Sequence, residues 1–431
     1  MTARKMGMLG TVLLSASVLS ACGSPAATSG TPSHPVTVTL WTNFGTTSNE
    51  AVAVDKLVAY FNKTHPSIHI SQVAQPGSNY FALLRAAMIS HTAPDIATIW
   101  TGAFLSPNIP YLRNLSPYFS QSSLSAFNGM RWLSKNSTVS NGVYGIPFED
   151  QYYIGYYNKA LFAKAGITSP PQDWSQLYSD AAKLKSHGIT PFLYGSTSGT
   201  AGSEFYPYWG FSYMMAGSYS LPQWKQLYNG SIPWTAATIQ SQTRKWVALH
   251  KDGYTNSGVL TTTQALGAFE KGKAAMFING NWFSGQVQAK MGKNLGFFLP
   301  PFSNSPIHAL VGMPGNGFSI TKDAKHPKQA VAFLKFLLTP AALKIVANEG
   351  LITDNKNYHY TNPLAQQLVN FSSVDHYVQY PMLDNVTPTP VVNTATKQLD
   401  AAFAGDTSVS AALQSMASTL SSIPKKQLTG Y

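Results

Sequence analysis

Between Val36 and Trp100 the hydrophobic period of the chain switches repeatedly, and this alternation limits the available folds more than any other feature. Val36 to Trp41 has strand composition, and Asn49 to Asn62 then carries apolar residues at helical spacing until His65-Pro66 breaks it. Ile68-His69-Ile70 predicts a second strand, Tyr80 to Ser90 a helix, and Asp95 to Trp100 a third strand. Strand, helix, strand, helix, strand is the order of a parallel sheet covered by helices, an α/β class. Ligands of such sheets bind beyond the carboxyl ends of the strands. Asn43, Phe44 and Thr46 after the first strand and Trp100 at the end of the third therefore become candidate ligand contacts.

A similar alternation resumes after Tyr144-Gly145-Ile146-Pro147. Tyr152 to Tyr157 is strand-like, and helices are expected over 159–165 and 174–187. Ala274 to Ile278 reads as a buried strand that opens into the turn Asn279-Gly280-Asn281-Trp282. Three glycines and a proline surround Asn316 between Gly312 and Gly317, as expected of a crossing or hinge segment that absorbs backbone change. Further helices are expected over 329–338, 341–349 and 411–420. A chain of 431 residues exceeds what one hydrophobic core usually holds, so two lobes are expected.

At the N-terminus, Arg4 and Lys5 precede an apolar run from Met6 to Leu19 that is too short to span a bilayer core of about 30 Å. Leu19-Ser20-Ala21-Cys22 follows and resembles the lipobox of bacterial lipoproteins. The resemblance implies removal of a signal peptide over 1–21, acylation of Cys22, and attachment to the membrane through its lipid. Residues 23–35 are small, polar and proline-bearing, which makes 22–35 a tether. Cys22 is the only cysteine, so an intramolecular disulfide and a thiolate metal cluster are both excluded.

Lys and Arg number 29 against 17 Asp and Glu. The basic residues are scattered, with no run in the mature chain longer than Lys425-Lys426, so the footprint of nucleic-acid binding is missing. Charged residues make up 11% of the chain, against a typical value of about 25%. A surface poor in carboxylates changes charge little as pH falls, and suits an acidic exterior.

Motifs spread along most of the mature chain resemble the family 1 extracellular solute-binding proteins, the receptors of carbohydrate importers of the ATP-binding-cassette class. Val38-Thr39-Leu40-Trp41 begins the match. Ser90 to Ile96 is similar to the family's S-G-x-x-P-D-[IV] turn, with His91 in place of glycine. Tyr157-Asn158-Lys159 with Leu161 to Gly166 is similar to Y-N-K-x-L-F-x-x-A-G. Phe269 to Met276 with Gly280-Asn281-Trp282 is similar to F-x-x-G-x-A-A-M…G-x-W, and Ala330 to Leu337 is similar to A-x-x-F-L-x-F-L. The resemblance implies a two-lobe periplasmic-binding-protein-like α/β fold, each lobe a sheet flanked by helices, closing on sugar as a jaw. The lobes are expected over 36–148 with 315–362, and 149–314 with 363–431. It also implies a membrane permease as partner, an extracytoplasmic monomer as receptor, and neither a cofactor nor catalysis.

Sugar rings present C–H patches to aromatic faces, and their hydroxyls need paired donors and acceptors. Trp100 and Trp282 are therefore expected as stacking platforms, against packing at a rim or between lobes. Ala103 stands where the maltose-binding branch has an acid, so maltose itself is not implied. Glu149, Asp150 and Gln151 are expected to meet hydroxyls at the first crossing, with Gln151 best aligned to the family's carboxylate; a solvated hinge is the competing reading. Glu204 with Tyr206, Trp209, Asn281, Asn316 and Asp384 complete the candidates. Two rivals remain. A glycosidase needs carboxylates about 5 to 10 Å apart, and adjacent Glu149 and Asp150 would point to opposite faces of a strand. A metal or polyamine receptor needs a His or acid cluster, and the sequence shows none at ligand spacing.

Overall fold

The computed structural model describes residues 30–428 apart from 45–47, 76–78, 196–205, 259 and 374. The leader, Cys22, most of the tether, Thr46 and Glu204 lie outside the described residues.

Among the described residues nine strands form the framework: β1 (Val36–Thr42), β2 (Ile68–Ala74), β3 (Ile96–Trp100), β4 (Ile146–Asn158), β5 (Thr190–Leu193), β6 (Ala274–Gly280), β7 (Leu295–Phe298), β8 (Ala309–Ile320) and β9 (Val378–Tyr380). They run in the order β2-β1-β3-β8-β4-β6-β5, with β7 on β4 and β9 on β8. The expected parallel part is present: β1 pairs with β2 from Val36 opposite Ile68, and with β3 from Leu40 opposite Ile96. β8 then joins antiparallel to β3, and β4 antiparallel to β8.

Two strands belong to both halves of the molecule. β4 pairs with β8 up to Tyr152, then with β6 from Tyr153 and β7 from Gly155. β8 starts beside β9 and ends beside β3. The segment 312–317, expected as a crossing or hinge, lies within the strand that passes between the halves, and 149–151 is buried or half-buried strand, not a solvated link. Irregularity in the ladder is confined to register shifts between Pro147 and Glu149 and between Glu149 and Asp150.

Separate cores lie on either side. One gathers Val38, Leu40, Phe61, Phe318 and Phe333, with a satellite around Tyr80, Ile99 and Leu133. The other gathers Tyr153, Trp174, Phe211, Trp224, Phe277 and Met416. Helix Asn49–Thr64 shows the local logic: Ser48 accepts from the Ala51 N–H to cap it, and Ala51, Val54, Leu57 and Phe61 bury one stripe.

The family motifs turn out to be structural ties. Asp95 of the P-D-I turn accepts from the Thr39 N–H at 2.9 Å and hydroxyl at 3.0 Å, and from the His326 N–H at 2.8 Å, joining β1, β3 and helix Pro327–Leu337. Asn158 of the Y-N-K motif caps helix Lys159–Lys164 through the N–H groups of Ala160 and Leu161. His91 stands in the turn's glycine position with φ of 59°, a left-handed conformation that histidine tolerates better than most residues.

Candidate ligand-binding cleft

The turn after β6 supplies the aromatic wall. Gly280 has no side chain because the Trp282 ring folds over it, and a Cβ there would lie 1.9 Å from the ring. Trp282 is half-buried and packs against both major cores. Its ring meets Trp209 edge-on at 5.3 Å and Tyr153 edge-on at 6.2 Å, while Tyr153 and Trp209 stack at 5.1 Å. Trp209 comes from helix Tyr206–Ala216 and Tyr153 from β4, so three elements converge on one aromatic corner. Asp384 closes it, accepting from the Tyr153 hydroxyl at 2.5 Å and from the Trp209 indole. Burial pushes the Asp384 carboxyl up to about 6.

The floor lies where β8 crosses between β3 and β4. Asn316 stands opposite Trp100 on one side and Glu149 on the other, and its Nδ2 donates to Glu149 Oε1 at 2.9 Å. Glu149 Oε2 and Asn316 Oδ1 are buried without a hydrogen-bond partner. Burial, and then the charge of Glu50, holds the Glu149 carboxyl well above the usual range. Gln151 lies across Gly315, where a Cβ would sit 2.1 Å from the Gln151 Cδ.

Asp150 takes a different place. Along β4 it alternates with Gln151 and Tyr153, so it faces the other side of the crossing strands. There it lies carboxyl against carboxyl with Asp354, whose Oδ2 accepts from the Gly129 N–H at 3.0 Å. A proton held between the two acids removes their repulsion. Asp150 also lines a cavity of about 210 Å³ with Arg131, Trp132, Pro314 and Gln379.

Several candidates are corrected by their surroundings. Phe44 is buried against Phe148 in the first core, its ring tilted on Phe148, which in turn meets Phe318 edge-on. Asn43 is committed to β3, its Oδ1 accepting from the Thr98 hydroxyl at 2.6 Å and its N–H donating to Thr98 Oγ1. Asn281 is an internal tie: its Oδ1 accepts from the Tyr152 N–H at 2.8 Å and its Nδ2 donates to the Asp150 carbonyl at 3.0 Å. Trp100 leans on Phe81 and Phe104, each at 4.8 Å between ring centres, and stays partly exposed. Of Tyr206 only the backbone, at the start of its helix, is described.

Residues 46–344 match the family model for bacterial extracellular solute-binding protein. The chain belongs to this family. The Multiple sugar-binding protein of Streptococcus mutans is 23% identical over 356 residues, covering 79% of this chain and 80% of the relative. The Melibiose/raffinose/stachyose-binding protein MelE of Bacillus subtilis is 24% identical over 366 residues, covering 80% of this chain and 81% of the relative. A solved chitin oligosaccharide binding protein superposes with a TM-score of 0.77 at 21% identity, covering 90% of this chain and 98% of that one.

Four residues of this solute-binding protein escape sequence reasoning. Tyr153 was readable, since it lies two residues beyond Gln151 on the same strand face. Asn49 and Glu50 follow the loop at the carboxyl end of β1, but read as ordinary first-turn helix residues. Asp354 sits in an irregular stretch with no periodic signal.

Proposed function

We propose that this solute-binding protein is the receptor of a carbohydrate importer of the ATP-binding-cassette class, taking an oligosaccharide between its lobes. The observation that carries the reading is the pair of buried, unpartnered acceptors, Glu149 Oε2 and Asn316 Oδ1, at the lobe crossing that also bears the aromatic corner. Buried polar atoms are normally satisfied, and sugar hydroxyls supply the missing donors. The relatives' names as sugar-binding proteins support the same class. Ligand contacts are assigned to Trp282, Trp209, Tyr153, Gln151, Glu149, Asn316 and Asp384, with Trp100 as a rim contributor and Glu204 and Tyr206 as the further contacts that the family resemblance implies. Lobes over 36–148 with 315–362 and 149–314 with 363–431 are assigned to close as a jaw. One chain supplies both walls, so a monomer suffices. Binding rather than hydrolysis is supported by the relatives' names as binding proteins and by the engagement of Glu149 with Asn316 and of Asp150 with Asp354.

Substitution of Trp282 by alanine is expected to weaken oligosaccharide binding by about 1 to 3 kcal/mol, the range for truncating an aromatic anchor. Calorimetric titration with raffinose, stachyose, maltose-series and xylan-derived oligosaccharides, beside melting curves without ligand, measures this. Unaltered affinity with a sharply lowered melting temperature would make Trp282 a packing residue and remove the site. Absence of any stabilisation by these sugars would remove the function.

The leader supports attachment through a lipid on Cys22, outside the cell membrane. Cys22→Ser is expected to release the folded protein into the soluble fraction. Retention after a high-salt wash, with the signal shown to be cleaved, would contradict the lipid anchor.

A further inference from the structure

At the crossing strands Glu149 is buried and feels the charge of a second buried glutamate, Glu50. Glu50, the second residue of helix Asn49–Thr64, is 5% exposed, and Glu149 is 1% exposed. The start of this helix touches the 281–283 turn, and the Asn49 amide lies beside Gly285. The charge of Glu50 acts on Glu149 and on Tyr156, whose hydroxyl donates to the Gly280 carbonyl at 2.6 Å and contacts Ser284 Oγ at 3.2 Å. Asp150 adds a further like charge from the next position of β4. Among the described residues no Lys, Arg or His acts on either glutamate. Lys56, further along the same helix, is committed to Glu349.

Three buried polar atoms near this pair have no partner: Glu149 Oε2, Asn316 Oδ1 and Asn49 Nδ2. Two of them are acceptors. A hydroxyl brings one donor and no charge, whereas an ammonium brings three donors and the missing positive charge. Buried carboxylates without a counter-charge are costly and take up a proton instead; burial holds Glu50 at about 7. We propose, on the reading that this cleft binds sugar, that the ligand carries a protonated amine, an amino sugar, whose ammonium sits on Glu149 with Glu50 as its second counter-charge. The amine keeps its proton on binding, and the proton resident on the glutamate pair leaves to solvent.

Matched β-1,4 disaccharides test this: deacetylated chitobiose, diacetylchitobiose and cellobiose, titrated calorimetrically at pH 6 in two buffers of different ionisation enthalpy. The amine form is expected to bind about tenfold or more tightly than cellobiose, as a charge-assisted hydrogen bond is worth, and to release up to one proton. Glu50→Gln and Glu149→Gln are each expected to bring that ratio towards one. Equal or tighter binding of cellobiose or diacetylchitobiose, or no proton release by the amine form, overturns the amine assignment while sugar binding stands. A preference that survives both substitutions overturns it as well. Failure of all three disaccharides and of the longer neutral oligosaccharides above overturns the sugar reading itself. Should either variant fail to fold by its melting curve, the wild-type ratio and proton count decide.

Discussion

The protein is expected to be most stable near pH 4 to 5 and to lose stability as the pH rises to 8, the reverse of ordinary acid denaturation. Burial raises Glu50 to about 7 and Asp384 to about 6, and holds Glu149 and Asp354 well above the usual range. An acid whose folded value exceeds its unfolded value holds more protons folded than unfolded. Its contribution is therefore fully present below the unfolded value and is lost as the pH climbs through the folded one. At about 1.4 kcal/mol per unit, Glu50 and Asp384 each remove about 3 kcal/mol between roughly pH 4 and pH 8. The opposing effect needs paired carboxylates. The ion pairs among the described residues are Lys56–Glu349, His91–Asp323 and Lys183–Asp180, each with at least one well-exposed member, and such pairs contribute little. Scanning calorimetry at pH 4.5 and 8.0 measures the slope, and Glu50→Gln should flatten part of it. A melting temperature that is level or rises with pH would sink the argument.

Asn281→Ala is expected to cost about 3 kcal/mol of stability without removing any group that faces the cleft. The side chain is 1% exposed and holds both the Tyr152 N–H and the Asp150 carbonyl, where β4 leaves β8 for β6. Alanine leaves a donor and an acceptor buried and unpaired, at about 1 to 3 kcal/mol each. Denaturant titration reads the loss. A change below about 1 kcal/mol would mean that water or a shifted backbone replaces the amide, and that Asn281 is not the tie described.

These two residues show what the sequence could and could not say. The β-α-β-α-β order, the ends of the early helices and the strand before Trp282 were legible because each rests on local periodicity or a local break, such as His65-Pro66 after the first helix. The motif resemblance pointed to the family and to the turn that carries Trp282. Its residues were harder, because a polar side chain beside a strand end satisfies either the backbone or a ligand, and composition does not distinguish them. Asn281 and Asn316 look alike in sequence, yet the first spends both amide groups on β4 and the second keeps an oxygen unpartnered. The Asp150–Asp354 contact joins positions far apart in the chain, and nothing short of the fold brings them together.

The lobes are joined by a hydrogen-bonded ribbon, not by a slack linker, and the departures from regular pairing between β4 and β8 fall at Pro147, Glu149 and Asp150. A paired ribbon resists stretching and shear and gives most readily by twisting where its ladder is broken. Glu149 stands at that break and, with Asn316, presents the unpartnered acceptors. On the proposed closure of the lobes, sensor and pivot are one piece of backbone: a ligand that grips those acceptors applies torque at the axis itself, and no lever is needed to carry the signal from the site to the joint.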